Sequence, residues 1–242
     1  MMELKSTIKR IMPPTLFDPL NTFRREVFDL HATKSYSQEG EDLILNRIFT
    51  EQLTGCYVDV GAHHPKKLSN TYLFYKRGWR GVNIDAMPGS MDAFRRVRPK
   101  DIKLEIAIAE EPGKMTFYVF NEPAFNTFDK ELAYSRQTAT RRVIKEIIIE
   151  VDTLKNVLTQ HLPYQQTIDF LSIDIEGFDL SALKSNDWGH FRPKIVLSEC
   201  YGSSLSHLSQ DPIVQFLGDQ GYEIYAKTAN TVVFKESSFK VL

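Results

Sequence analysis

A doubly wound α/β domain, with a mostly parallel sheet and helices on both faces, is the fold class this sequence predicts. Three observations carry it. From residue 56 onward short apolar runs alternate with segments of helical period. Capping residues and glycines fall between them at helix starts and stops. An acid or a glycine closes each central apolar run, where an open α/β sheet binds its ligands.

The elements follow in order. Residues 1–34 read as an arm: "IMPPTLFDPL" has prolines that stop a helix, and "NTFRREVFDL" reads as a short helical piece. The arm is free to pack on the domain, to make homo-oligomer contacts or to be mobile. Residues 35–242 form the domain. "SYSQEGEDLILNRIF" starts a helix, with Ser35 or Ser37 as cap and acids in the first turn. "CYVDVGA" is a strand, "SNTYLFYKRGW" a helix capped by Ser69 and stopped at Gly78, and "GVNIDAM" a second strand. "GSMDAFRRVRP" is a helix closed by Pro99, and "IKLEIAIA" a third strand. "KMTFYVF" and "EIIIEV" are further β-rich runs around a long excursion. "DTLKNVLTQHL", "DLSALKSNDW" and "DPIVQFLGDQG" are helices that alternate with the strands "IDFLSIDI" and "KIVLSEC". "YEIYAKT" and "TVVFKE" close as an antiparallel hairpin.

Bulk properties exclude several classes. At 242 residues the chain is long enough for one large domain with a real core. A net charge of −1 argues against nucleic acid as partner, because that grip comes from excess Lys and Arg. The clusters Arg95, Arg96, Arg98 and Arg141, Arg142 read as solvated faces. Only two cysteines occur, Cys56 and Cys200, both beside apolar runs, which reads as buried thiols in a reducing compartment. No apolar run approaches the roughly 18 residues of a membrane span, and the N-terminus lacks the apolar core of a signal peptide. The cytoplasm is the expected location.

The strand ends then matter together. Asp59-Val60-Gly61-Ala62-His63-His64 closes the first strand, and Gly61 permits a tight turn. Asp85 closes the second, placed to accept hydrogen bonds from two ribose hydroxyls, although capping the next helix is the plain alternative. Asp174 and Glu199 close later strands. After Gly61 the next glycine is Gly78, so the dinucleotide fingerprint is absent, and no phosphate-cradling loop occurs. A nucleoside ligand without phosphates fits what remains, and S-adenosylmethionine is one.

The stretches "YSQEGEDLIL", "YVDVGAHHPKKLSNTYLFYKRGWRGVNIDAMPGS", "RPKDIKLEIAIAE", "FNEPAFNTFDKEL", "IDFLSIDIEGFDLSALKSNDW" and "RPKIVLSE" occur in the order and spacing of a known family. On them the chain resembles the FkbM family of S-adenosylmethionine-dependent methyltransferases. The resemblance implies a Rossmann-like class I methyltransferase fold, a seven-stranded, mostly parallel sheet whose last strand is antiparallel. It implies that Asp59, Gly61 and Ala62 form the first cofactor loop, that Asp85, with Ala86 beside it, holds the ribose, and that residues 105–109, Ala107 among them, lie near the adenine. Members of the family commonly methylate hydroxyl oxygens, often on sugars, so the implied partner is a small-molecule or saccharide acceptor. Many methyltransferases have a second glycine where this chain has His63, so that side chain must point away from the cofactor or towards the acceptor.

Methyl transfer to a hydroxyl needs alignment of the acceptor and removal of its proton. His63 and His64 are candidate bases, since imidazole titrates in the right range; holding the loop backbone is the plain alternative. Asp174 is a candidate for a cofactor contact, for the base, or, with Glu199, for a divalent cation. The strand beside it supplies few further oxygen ligands, which argues against the cation. Glu176 is a catalytic candidate or a helix-start acid. Asn126, in the excursion, and Gln38, with Asp42 nearby, are placed to reach the cofactor; ordinary loop packing and capping compete. A non-catalytic binding module on the same fold and an N-methyltransferase are the rival readings.

Overall fold

The apolar runs become strands covered on both faces. The computed structural model describes residues 31–200 and 204–241, with Pro19, Thr22, Phe23 and Val27 of the arm. Contacts divide the chain into Met1–Ser35 and Tyr36–Leu242. The short helical piece expected over residues 21–30 lies largely outside the described residues.

In the second unit β1 (Cys56–Val60), β2 (Arg80–Asp85), β3 (Ile102–Glu105), β7 (Phe170–Ile173), β8 (Ile195–Glu199), β9 (Tyr222–Lys227) and β10 (Thr231–Glu236) form one sheet in the order β3-β2-β1-β7-β8-β10-β9. Its first five members are parallel, and β10 is antiparallel to both neighbours. This is the expected seven-stranded class. All five residues of β1 and of β8 are buried, as central parallel strands require. Alternate residues serve opposite faces. Val58, Val60, Leu171 and Val196 join Leu154, Leu183 and Leu217 on one side; Tyr57, Phe170 and Leu197 join Leu45 and Phe74 on the other.

The helices are α1 (Glu41–Ile48), α2 (Tyr72–Arg77), α3 (Met91–Val97), α4 (Lys130–Ser135), α5 (Leu154–His161), α6 (Asp179–Lys184) and α7 (Pro212–Asp219). Gly78 stops α2 at φ 101°. Thr153 and Asp211 cap α5 and α7. Ser37 serves α1 from a distance, accepting from the Gly40 and Asp42 amides, and Ser69 accepts from the Tyr72 amide of α2. No helix among the described residues is long and apolar enough to cross a membrane. Cys56 and Cys200 are buried free thiols, and burial pushes Cys56 up to about 12.

Two expectations are corrected. "IKLEIAIA" is not one strand: β3 ends at Glu105, and β4 (Ala107–Ile108) leaves for a second sheet with β5 (Gly113–Phe120) and β6 (Val143–Asp152), ordered β4-β6-β5. A continuous apolar run does not display a change of partner. Arg98 is not on a solvated face but is fully buried, because α3 ends there and turns it beneath the loop after β1. Its guanidinium donates to the Pro65 carbonyl (2.6 and 2.9 Å), Ser69 Oγ (2.7 Å), Thr71 Oγ1 (2.8 Å) and Asn83 Oδ1 (3.0 Å). Thr71 passes the charge to Asp59 Oδ2 (2.6 Å), and Asn83 passes it to Asp101 Oδ2 (3.1 Å). Burial raises both carboxyls; the Arg98 charge and the hydrogen bonds from Thr71, Tyr57 and Asn83 oppose it.

Arg98→Met should therefore cost about 3–5 kcal/mol, because it strands two buried carboxylates. Urea unfolding measures it; a loss below about 1 kcal/mol would mean that the network is dispensable.

Candidate active site

The switch point of the sheet lies between β1 and β7, where successive strands are added in opposite directions. Val60 pairs with Ile173, and the chain diverges just beyond. Gly61 (φ 85°) makes the first turn, and its N–H and that of Ala62 donate to the Ile84 carbonyl of β2 (2.9 and 3.0 Å). A Cβ on Gly61 would stand 1.8 Å from the Asp174 carbonyl oxygen, so only glycine lets the two strand ends close. His63 follows in the left-handed region (φ 47°) and donates its N–H to Asp85 Oδ2 (2.9 Å), while the Met87 N–H donates to Asp85 Oδ1 (2.8 Å). One carboxylate thus ties the loop after β1 to the loop after β2. Burial raises the Asp85 carboxyl, and these two N–H groups pull it back.

Over these loops opens a cavity of about 400 Å³. Of the residues expected at a site, Gln38, Gly61, His63, Asp85, Ala86, Asn126, Asp174 and Glu176 line it. Three of the four described non-glycine residues at positive φ, His63, Leu68 and Glu176, are also on its wall. Strained backbone concentrated at one cavity is a mark of a working site.

Other expected residues stand elsewhere. Asp59 is buried under Thr71, Ala62 packs with Met91 and Phe94, and Ala107 packs with Ala109 and Val151; none of the residues 105–109 lines the cavity. His64 is also off the wall. Its Nδ1 accepts the Lys66 and Lys67 N–H groups (3.1 and 3.0 Å), so it holds the loop. Asp42 is buried and accepts from the Tyr36 N–H and Ser37 hydroxyl, the capping role. Glu199 lines a second cavity with Asp179 and Asp211.

Glu176 is no helix-start acid. The first-turn acid of α6 is Asp179, and Glu176 sits before it at φ 53°. Its carboxylate meets Arg136 (2.5 Å) and its carbonyl accepts from Thr127 Oγ1 (2.8 Å). Asn126 Oδ1 accepts the Phe120 N–H (2.8 Å), which sets the excursion that roofs the cavity with Phe117, Pro123, Ala124 and Phe128. Arg136 escapes sequence reasoning, which has no signal for a pairing across 40 positions; "MPG" at 87–89 is a readable turn on the wall.

Asp174 Oδ1 is buried with no hydrogen-bond partner among the described residues. Burial, and then the Glu199, Asp179 and Glu176 carboxylates, hold the Asp174 carboxyl well above the usual range; a hydrogen bond with Glu199 acts the same way. Burial and Glu199 raise Asp179 to about 7. The neighbouring carboxylates therefore disfavour ionisation of Asp174. Among the described residues no group of three or more His, Cys, Asp or Glu side chains is placed to hold a metal ion.

Two stability tests follow from these charges. Asp179 is raised on folding, so its contribution is present below the ordinary value of about 3.9 and lost as pH rises through about 7. Asp179→Asn should gain on the parent between pH 4 and 8, by about 4 kcal/mol at most; melting curves whose gap ignores pH refute the shift. His64 is lowered, by burial first and then by His63. Its contribution is present above about 6.5 and lost as pH falls through its lower folded value. His64→Ala should cost roughly 1–2 kcal/mol at pH 8, with the gap narrowing by pH 5 in the same melts.

Comparison with known proteins adds the following. The family model for the methyltransferase FkbM domain matches residues 59–224. No curated protein matches the sequence. Among solved structures, a protein proposed to be an RNA methyltransferase from Pyrococcus horikoshii aligns over 81% of this chain and 83% of its own, at 9% identity and a TM-score of 0.41, too distant to carry an argument.

Proposed function

The chain belongs to the FkbM methyltransferase family, and from that premise we propose that it moves the methyl group of S-adenosylmethionine to a hydroxyl oxygen on a sugar or glycosylated product. The observation that carries this reading is the meeting of Gly61, Asp85 and Asp174 on one cavity at the switch point.

The residues present fit the cofactor. Gly61, whose missing side chain lets the ends of β1 and β7 close, lines the cavity beside Asp174. Each Asp85 oxygen gives one lone pair to a loop N–H and keeps another for a ribose hydroxyl. Gly61, Gln38 and Ala86 line the same space. The cofactor supplies an electrophilic methyl group on a sulfonium.

The chain's own groups do the rest. His63, on the wall, accepts the proton of the acceptor hydroxyl on its imidazole. Asp174 lines the same wall, its carboxyl held up by burial and by Glu199. Phe117 and Phe128 exclude water from above. A small acceptor, rather than nucleic acid, accords with the net charge of −1, and a cytoplasmic setting with the two buried thiols.

Calorimetry tests the reading directly. Wild type should bind S-adenosylmethionine at the micromolar scale, and Asp85→Ala should weaken binding by about tenfold or more. Absence of binding to the folded wild-type protein sinks the proposal. A screen of sugar acceptors with labelled cofactor then identifies the hydroxyl.

A further inference from the structure

Residue 176 is held at both ends by the excursion. Arg136, just past the end of α4, sets its guanidinium 2.5 Å from Glu176 Oε2, with the two side chains only 16% and 20% exposed. Thr127, fully buried, donates its hydroxyl to the Glu176 carbonyl. Two contacts from one roof fix a residue whose φ of 53° a glutamate seldom adopts. Glu176 lines the cavity and Arg136 does not.

The charge of the wall is one-sided. Asp85, Asp174 and Glu176 line the cavity, and among the described lining residues there is no Lys or Arg. An anionic acceptor group would enter without a cation to meet it and beside carboxylates. Phe117 and Phe128, with ring centroids 4.6 Å apart, line the same cavity and offer an apolar surface. Carboxylate oxygens that take hydroxyl hydrogens, set against an aromatic surface, suit a sugar ring without charge.

We propose that Glu176, positioned by Arg136, selects the acceptor: it takes hydrogen bonds from an uncharged, hydroxyl-bearing ring and turns away phosphorylated and carboxylated ones. The proposal rests on the methyl-transfer reading. Glu176 touches the acceptor, and Arg136 is a positioning residue that acts through it.

The test uses the full chain, labelled S-adenosylmethionine and matched acceptors: neutral methyl glycosides, the corresponding sugar 6-phosphates and the corresponding uronic acids. Binding of S-adenosylhomocysteine is measured in parallel by calorimetry. Wild type should favour neutral acceptors by about 100-fold in kcat/KM. Glu176→Gln should narrow that ratio below about tenfold, mainly through KM, with S-adenosylhomocysteine affinity within about threefold of wild type. Arg136→Ala should behave as Glu176→Gln, and Arg136→Lys should restore most of the discrimination. Preference of wild type for the charged acceptors overturns the proposal. So does an unchanged ratio in Glu176→Gln, or bound S-adenosylhomocysteine with no transfer to any acceptor. Failure of wild type to bind S-adenosylhomocysteine at all is a different result, and removes the methyl-transfer reading itself.

Discussion

A buried cation governs the geometry of this protein. Arg98 lies under the loop after β1 with five hydrogen bonds to Pro65, Ser69, Thr71 and Asn83. An unpaired charge in that position would be costly. Here Asp59 and Asp101 balance it at one remove, through a threonine hydroxyl and an asparagine amide. The intermediaries make the balance directional. Thr71 must accept from Arg98 and donate to Asp59, which fixes the start of α2 against β1. Residues 65–71 are then locked at their far end, and the Gly61–His63 turn is closed from both sides. Asn70, reaching Ser172 Oγ at 3.0 Å, ties the same loop to β7.

The cavity inherits that rigidity on its floor, but its roof comes from elsewhere. The three-stranded sheet and α4 interrupt the alternation between β3 and α5, and they meet the floor through Thr127 and Arg136 at residue 176. Floor and roof therefore differ in kind. The floor consists of strand ends tied by backbone hydrogen bonds and Asp85. The roof is aromatic side chains tied by one hydroxyl and one ion pair. An excursion carried on a rigid sheet is a common place for binding preference to be set.

Much of this was legible in the sequence. Alternating apolar and amphipathic runs, Gly78 and the acids at strand ends predict the sheet, the helices and eight of the lining residues. What escaped has physical reasons. A left-handed leucine at 68 leaves no mark in composition. The run 102–109 is apolar throughout, so its transfer from one sheet to another is silent. Arg98 looked solvated because it stands among Arg95 and Arg96, and local charge says nothing about which side chain a helix end turns inward. Glu176 looked like a helix-start acid because Asp179 and α6 are so near.

The two acids of "SIDIEG" can now be given different tasks. They stand two residues apart, yet the left-handed turn at 176 and 177 sends them to different surroundings. Asp174 stands beside Glu199, and burial with the neighbouring carboxylates disfavours its ionisation. Glu176 has a guanidinium beside it and faces the cavity. On the proposed methyl-transfer reading, a hydroxyl acceptor beside them would be oriented by hydrogen bonds to Glu176. On that reading, proton removal is assigned to a third group on the same wall. Of the two histidines only His63 qualifies, because His64 spends its Nδ1 on the loop and lies off the cavity. The proposed reading thus divides orientation and proton transfer between the ends of β7 and β1, the two strands that Gly61 allows to close.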